Sequence, residues 1–363
     1  MEKIEKLQLF LKEKEIDFAF ITNPHHVFYF SGFQSDPHER VIAVIIFSQF
    51  PPFIFCPQME VADVKATGWP YDVIGYLDTD NPWDMLTKKI QSRLGTITGV
   101  GIEKSHLTVE RYEALKSRIP QVIFHGLDDE INNMRVIKDE IERKKLKKAA
   151  ELADYAIEVG IKEIAVGKTE LEIVQKIENK IKELGCKMSF ETTVLSGPKS
   201  ASPHGKSGNR KIQDGDFVLL DLGVIYEGYC SDITRTVAIG EISDEKRKIY
   251  EVVKRSNEES IKAIKPGITC RDLDQISRKV IQDAGYGRHY THRLGHGLGI
   301  SVHEFPSISG NNELELLPGM VFTVEPGIYK EEIGGVRIED DVVVTENGAE
   351  VLTKYPKELI IIK

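Results

Sequence analysis

Between residues 217 and 344 the chain repeatedly sets a single acid inside a run that otherwise reads as buried β-strand. Phe217-Val218-Leu219-Leu220-Asp221-Leu222-Gly223 is apolar up to one carboxylate and a turn-type glycine. The segment from Tyr226 to Thr236, a second strand rich in β-branched residues, again holds one aspartate, Asp232, inside it. Gly319-Met320-Val321-Phe322-Thr323-Val324-Glu325-Pro326-Gly327 repeats the first pattern. Gly335 to Val344 holds Glu339 two residues after Arg337, on the same face of a strand. Such runs form strands, and a carboxylate buried in one is costly without a partner. The fold must therefore bring these acids to something that neutralises them. The first two runs, joined by a short glycine-containing stretch, predict a hairpin. Its two acids either cap turns or, on adjacent strands, repel one another and raise a pKa until a cation relieves them.

Glycines at 295, 297 and 299 flank His296 and Leu298. That spacing disfavours a helix and suits an irregular strand where backbone approaches a ligand closely. An isolated histidine there would read as an interior residue; three within 12 positions, His292, His296 and His303, argue for a site. Together Asp221, Asp232, His296, Glu325 and Glu339 offer four carboxylates and one imidazole. This hard, oxygen-rich set suits Mn2+ or Co2+ better than a thiolate-held structural zinc. Four carboxylates carry more charge than one divalent ion balances. Two ions about 3.5–4 Å apart, sharing carboxylates, would balance it.

The same half of the chain carries a weak internal repeat. Gly167–Gly185 (GKTELEIVQKIENKIKELG) and Gly267–Gly285 (GITCRDLDQISRKVIQDAG) match at the flanking glycines and at Thr169/Thr269, Gln175/Gln275 and Ile181/Ile281. Each opens with a threonine followed three residues later by an acid, a capping signal, and each stops at glycine. Each leads to histidines: His204 in one case, His292 and His296 in the other. Either two amphipathic helices look alike by chance, or a pseudo-twofold domain brings two His-bearing loops face to face.

Residues 2–125 alternate helix and strand patterns. Helices are predicted over Glu2–Lys14, Trp83–Arg93 and Thr108–Ser117. Strands are predicted over Asp17–Ile21, Val41–Phe47, Pro52–Phe55, Gly99–Glu103 and Val122–Phe124. This is a small α/β domain with a mixed sheet, and with no phosphate-cradling glycine signature after its first strand it is assigned no nucleotide. A charge-rich helical stretch from Asp129 to Ile164 follows, a solvated face with i,i+4 pairs. It puts the boundary within 126–136 and the domains at 1–130 and 131–363, as a chain of 363 residues suggests. A net charge of -9 leaves no Lys/Arg excess for nucleic acid or an anionic membrane. Four scattered cysteines read as reduced cytoplasmic thiols. The N-terminus lacks the apolar core of a signal peptide, and no apolar run is long enough to span a bilayer. A cytoplasmic protein with no nucleic-acid or membrane partner is expected.

The five acid and histidine positions, spaced by 11, 64, 29 and 14 residues, resemble the five-ligand signature of the creatinase / methionine aminopeptidase superfamily. The phrases DLG, SDITRT, GHGLGISVHEFP, VFTVEPGIY and GGVRIEDDVVVT resemble its Xaa-Pro peptidase branch, the prolidases and aminopeptidases P. The similarity covers about residues 135–363 and, more loosely, the N-terminal part, where NPHHVFYFSGF is family-like. It implies a pseudo-twofold α+β pita-bread catalytic domain behind a small creatinase-like α/β domain, and a homodimer acting on short proline-containing peptides. It also implies two divalent ions, Mn2+ foremost, with Co2+ or Zn2+ as alternatives. By the same resemblance Asp221 binds one ion, Asp232 and Glu339 bridge both, and His296 and Glu325 complete the second. A bridging hydroxide attacks the carbonyl before proline, and Glu325 carries the proton to the leaving nitrogen. His204 matches the substrate-side histidine, His303 the one near the developing oxyanion. His292 and Arg337 support the ligands from behind, with Arg337 orienting Glu339.

A proline imide has no N–H, and its ring blocks ordinary peptidase grooves; a compact site that polarises the carbonyl can still cleave it. Dipeptide specificity needs a cation for the product carboxylate. Some prolidases carry an arginine just after the HExP phrase, whereas this chain has Ser307 and no Lys or Arg before Lys330. Arg293 is one candidate. Arg40, in the polar loop Ser35–Arg40, is another, and equally fits an ordinary surface turn. An aminopeptidase P acting on longer Xaa-Pro-Yaa peptides is the nearest rival, usually with a longer N-terminal part. Methionine aminopeptidases generally lack a separate N-terminal domain. Metal-free creatinase-like or binding-only relatives lose several of the five ligands, all present here. Other motifs fail: the P-loop ending Gly205-Lys206-Ser207 has Ser200 where the first glycine belongs. The His292/His296 pair has Arg293 where a zincin needs glutamate, and no GxSxG elbow occurs.

Overall fold

A computed structural model describes residues 2–363. The chain forms two compact units, one ending at Met134 and the other spanning Arg135–Lys363. In the first, six strands lie in the order Asp72–Tyr76, Phe53–Pro57, Ala43–Phe47, Phe18–Ile21, Gly99–Ile102, Ile123–Gly126, with parallel and antiparallel pairs. The four central strands are buried along their whole length, so they read as continuous apolar runs rather than alternating ones. Every element predicted from the sequence here is present, with ends within two residues. Helices Pro24–Ser31 and Val61–Ala66 and strand Asp72–Tyr76 go beyond the prediction. The first of these helices is too short to display a period, although Asn23 caps it, Pro24 opens it and Gly32 closes it at φ 72°. The strand is half-exposed and holds Gly75, which weakens its signal.

The second unit is built twice over. Helices Glu140–Glu163 and Glu170–Glu183 pack together in one half, and Asp244–Ala263 and Cys270–Asp283 in the other. Thr169 and Thr269 cap the second helix of each pair, accepting from the amides of Glu172 (3.2 Å) and Asp272 (3.0 Å). Gly167 and Gly267 sit at φ 89° and 86°, and their amides reach the carbonyls of Ile212 and Leu316. Ile164 and Ile264 end the preceding helices at the same ψ of 125°. Agreement down to single dihedrals makes the sequence repeat a structural duplication. Each half carries an antiparallel sheet. One runs Ile361–Ile362, Ile233–Ile239, Phe217–Leu222, Thr193–Ser196; only its short edge strand Ile361–Ile362 pairs parallel. The other runs Glu304–Ile308, Gly295–Gly297, Val321–Val324, Asp340–Thr345, Gly348–Val351. In the first half Ile157, Ile173 and Ile177 share a core with Val218, Leu220 and Leu222. A Cβ on Gly160 would lie 2.5 Å from Leu220, so only glycine lets that helix approach the sheet so closely.

Two expectations are corrected. The helix predicted over Asp129–Ile164 is broken into Asp128–Val136 and Glu140–Glu163. Asp139 restarts it with a reciprocal capping box to Glu142 (2.8 and 2.9 Å), while the Lys138 amide turns to Gly319 O (2.9 Å). The predicted hairpin does pair, with Asp221 opposite Thr234. Its connection, however, detours through a separate hairpin, Val224–Tyr226 with Tyr229–Cys230, turning at Glu227 and Gly228 (φ 46° and 83°). The cysteines are unpaired, with Cys56, Cys230 and Cys270 buried. Among the described residues no helix is long and apolar enough to cross a membrane.

The helix break seats two cations on one acid. Glu304 bonds Arg135 directly, takes Lys138 Nζ at 3.2 Å and accepts the Ser301 amide at 2.8 Å. All three charged side chains are buried. Burial alone would raise the Glu304 pKa, but Lys138 and Arg135 bring it down to about 2. Glu304→Gln leaves both cations without a counter-charge and should cost about 3 kcal/mol in denaturant unfolding. Because the folded pKa is depressed, this contribution is present above the ordinary carboxylate range and fades as pH falls toward 2. The gap between wild type and variant should therefore narrow between pH 7 and pH 3; equal midpoints at pH 7 would show that the cluster adds nothing.

Candidate metal centre

Strand register brings the acids together. Asp221 lies opposite Thr234, and Asp232 stands one residue before that second strand. In the other half Val324 pairs with Asp340, and after a short gap Gly327 pairs with Arg337 in the hairpin Gly327–Lys330/Gly334–Arg337. The two ladders keep one register, so Glu325 and Glu339 face each other in the gap between them. His296 sits on Gly295–Gly297, which pairs with the neighbouring strand through Gly297 and Phe322. A Cβ on Gly295 would fall 1.9 Å from Thr323 O; the alternating glycines allow this close approach. The His296 amide donates to Thr323 Oγ1 (3.1 Å), whose hydroxyl donates to Glu325 (3.2 Å).

All five predicted ligand residues line one cavity of about 630 Å3, together with His204, His292, Arg293, His303 and Arg337. His296 Nε2 lies 3.4 Å from Glu325 Oε1 and 3.7 Å from Asp232 Oδ2. One ligand atom each from Asp232, His296 and Glu339 falls within 4.8 Å of the others. Asp232 Oδ1 is buried without a hydrogen-bond partner. Arg337 bonds Asp221 directly and donates to Thr234 Oγ1 (2.9 Å), and Thr234 donates to Glu339 (2.6 Å). The Arg337–Glu339 separation is 3.9 Å, so Asp221 is the carboxylate this guanidinium grips and Thr234 relays its hold to Glu339.

Electrostatics follow from the crowding. Burial first, then Glu339 and Asp221, push Asp232 well above the usual carboxylate range. Burial, then Glu325 and Asp221, do the same to Glu339. Glu325 is raised to about 7, chiefly by burial, and Asp221 is raised by burial despite Arg337. Burial and the neighbouring His303 lower His296 to about 3, which keeps its imidazole neutral and able to ligate. Four acids that resist ionisation, a neutral imidazole and an orphaned buried oxygen form a donor set that fits divalent cations.

Around these lie side chains that the sequence reading did not single out. Asp341 accepts the Asp232 amide (3.0 Å). Tyr329 OH accepts from Arg337 (3.0 Å) and meets His292 Nε2 (3.0 Å). The His303 ring lies 4.0 Å from that of His296. His204 is exposed on the cavity wall. Two buried helix acids, Glu170 at the first residue of its helix and Asp274 one turn into its own, suspend the histidine-bearing loops. Glu170 accepts from Ser196 N (2.8 Å), Gly208 N (2.9 Å) and Lys199 Nζ (2.6 Å), on either side of His204. Asp274 accepts from Leu294 N (2.9 Å) and from Arg278 (2.6 Å), whose other nitrogen reaches His292 O (2.5 Å). Thr234 and Thr323 gave no signal because threonine is also an ordinary strand former. Arg293 lines the cavity and meets Ser307 Oγ at 3.3 Å. Arg40 belongs to the first unit, where it forks Asp78 at 3.0 and 3.1 Å.

Known proteins resemble this chain along its whole length. A Bacillus subtilis protein that carries a provisional dipeptidase name, YkvY, is 47% identical over 363 residues, covering 100% of both chains. The structure of an Xaa-Pro dipeptidase from Bacillus anthracis superposes with a TM-score of 0.93 at 38% identity, covering 100% of this chain and 99% of that one. An X-Pro aminopeptidase from Thermotoga maritima superposes with a TM-score of 0.88 at 35% identity, covering 96% and 98%. Residues 144–346 match metallopeptidase family M24 and residues 3–137 match the Creatinase/Prolidase N-terminal domain. The chain is therefore a member of metallopeptidase family M24.

Proposed function

We propose that this enzyme hydrolyses the peptide bond before proline, above all in Xaa-Pro dipeptides, with two divalent ions held by Asp221, Asp232, His296, Glu325 and Glu339. The observation that carries the reading is the packing of four carboxylates, Asp232 and Glu339 buried and Asp221 and Glu325 half-buried, and a neutral imidazole around one cavity, with Asp221 the carboxylate that Arg337 grips directly. Asp232 and Glu339, flanked by acids on both sides, would be the carboxylates shared between the ions. When bound, the ions polarise the scissile carbonyl and lower the pKa of a water that serves as nucleophile. Glu325, on the cavity wall beside His296, would take a proton on its carboxylate and deliver it to the leaving proline nitrogen. His204 and His303, on the cavity wall, donate to the substrate carbonyl and its developing oxyanion. His292, tied to Tyr329, holds the Arg337 side of the shell in place.

The dipeptidase reading is supported by the end-to-end match to YkvY and to the Bacillus anthracis Xaa-Pro dipeptidase. Arg293, which lines the cavity, is one candidate for taking the product carboxylate, and Arg40 is another. The Thermotoga maritima X-Pro aminopeptidase supports the rival, cleavage of longer Xaa-Pro-Yaa peptides. Mn2+ as working ion, a homodimer and a cytoplasmic location belong to the same proposal. Steady-state kinetics on Xaa-Pro, Xaa-Pro-Yaa and Met-Xaa peptides, with metal-stripped and Mn2+-restored enzyme, should give the highest kcat/KM for Xaa-Pro and need Mn2+ for all turnover. Faster cleavage of Xaa-Pro-Yaa would transfer the assignment to the rival.

Asp232→Asn should lower turnover by far more than the roughly 100-fold that loss of an outer support costs, while raising the melting temperature of the metal-free protein at neutral pH by removing a carboxyl whose ionisation the crowded site opposes. Unchanged turnover would count against a bridging role. Proton linkage gives a further expectation. The raised folded pKa values mean that metal-free protein loses stability as pH climbs from the ordinary carboxylate range through about 7, where Glu325 titrates. Cations favour the ionised acids, so the gain in melting temperature on adding Mn2+ should be larger at pH 8 than at pH 5. Equal gains would argue that these acids do not hold the ion.

A further inference from the structure

Glu325 and Glu339 occupy the first of the two steps missing between two ladders of a single register, and Pro326 and Ile338 the second. In an antiparallel pair, hydrogen-bonded and non-hydrogen-bonded positions alternate, and the latter bring opposite residues closer. The Ile338 amide donates to Pro326 O at 3.4 Å, which marks Pro326–Ile338 as a hydrogen-bonded position and Glu325–Glu339 as the close one. The return bond cannot form, because Pro326 has no N–H. Two facing glutamates repel each other at the very point where the ladder lacks a bond to hold it.

A side chain from outside the sheet fills that gap. Asn257, fully buried on helix Asp244–Ala263, donates its amide to Ile338 O (3.3 Å) and to Val324 O (2.9 Å). These carbonyls belong to the residues immediately before Glu339 and Glu325. Its own oxygen accepts from Lys357 Nζ (2.8 Å), which also pairs with Asp340 (2.7 Å). Every polar atom of the Asn257 side chain is thus occupied, and its orientation is fixed by a cation on the far side.

We infer that Asn257 is a positioning residue that replaces the ladder bond Pro326 cannot make and thereby sets the separation of the Glu325 and Glu339 carboxylates for metal binding. This rests on the proposal that those carboxylates hold the ions. The test is calorimetric titration of Mn2+ into metal-stripped wild type, Asn257→Ala, Asn257→Leu and the double variant Asn257→Ala/Pro326→Ala, with melting of each metal-free protein alongside. Both single variants should weaken Mn2+ binding by about 10- to 100-fold, the usual effect of losing an outer support. The leucine keeps the branched outline and leaves no cavity, so a loss shared by both variants is not the work of a void. Pro326→Ala returns a backbone donor to Ile338 and should recover part of the lost affinity, a rescue that a merely structural tie would not produce. Wild-type Mn2+ affinity in the single variants, whatever their melting temperatures, or no recovery in the double variant, would overturn the inference. Wild-type protein that takes up no Mn2+ would overturn the metal assignment itself and this inference with it.

Discussion

Like charge concentrated in a low-dielectric interior is the constraint around which the second unit is arranged. Carboxylates brought this close each raise the cost of ionising the next, and one guanidinium answers only part of the charge. The surroundings supply what neutral groups can. Thr234 and Thr323 donate to glutamates, and Asp341 accepts the Asp232 amide from behind. None of these cancels the charge, and Asp232 retains an oxygen with nothing to bond. Such a pocket is unfavourable as protein alone and becomes favourable with cations, which is the usual coupling between a metal site and its fold.

Duplication explains how one short stretch of chain meets that constraint. A single pair of strands presents only two residues at one step, so gathering four acids and a histidine at one cavity needs several strands meeting at one place. The first half contributes Asp221 and Asp232, the second His296, Glu325 and Glu339. Matching helix pairs back the two sheets with the same caps and the same glycine turns. The surface that the acids share is therefore made of strands, and its regular pairing breaks at Glu325 and Glu339 and shifts at His296.

Much of this was legible in the residues. Lone acids in apolar runs located the cavity, because burial of charge is conspicuous in sequence, and the repeat anticipated the two halves. What escaped notice had weaker or ambiguous signals. The helix restart at Asp139 was hidden because its capping box lies in a stretch already dense with Asp and Glu. Helix Pro24–Ser31 is shorter than the window in which a helical period shows. Asp341 looked like one more acid in Glu339-Asp340-Asp341, although strand alternation turns it away from Glu339's neighbour Asp340. Asn257 sits mid-helix among charged residues, and its partners are carbonyls fixed by a register no local pattern reveals. Arg337 was placed on the correct face, but which acid it grips depends on a strand more than a hundred residues earlier.

The suspension of the two histidine loops from Glu170 and Asp274 has an evolutionary corollary. Those loops hang from helices by hydrogen bonds to backbone and lysine or arginine, whereas the acids grow out of paired strands. Floor and rim are thus attached to different parts of the scaffold. Substitution or lengthening between the anchor points can reshape what the rim admits while the floor keeps its register. Such an architecture lets a lineage drift among peptide preferences without rebuilding its chemistry each time.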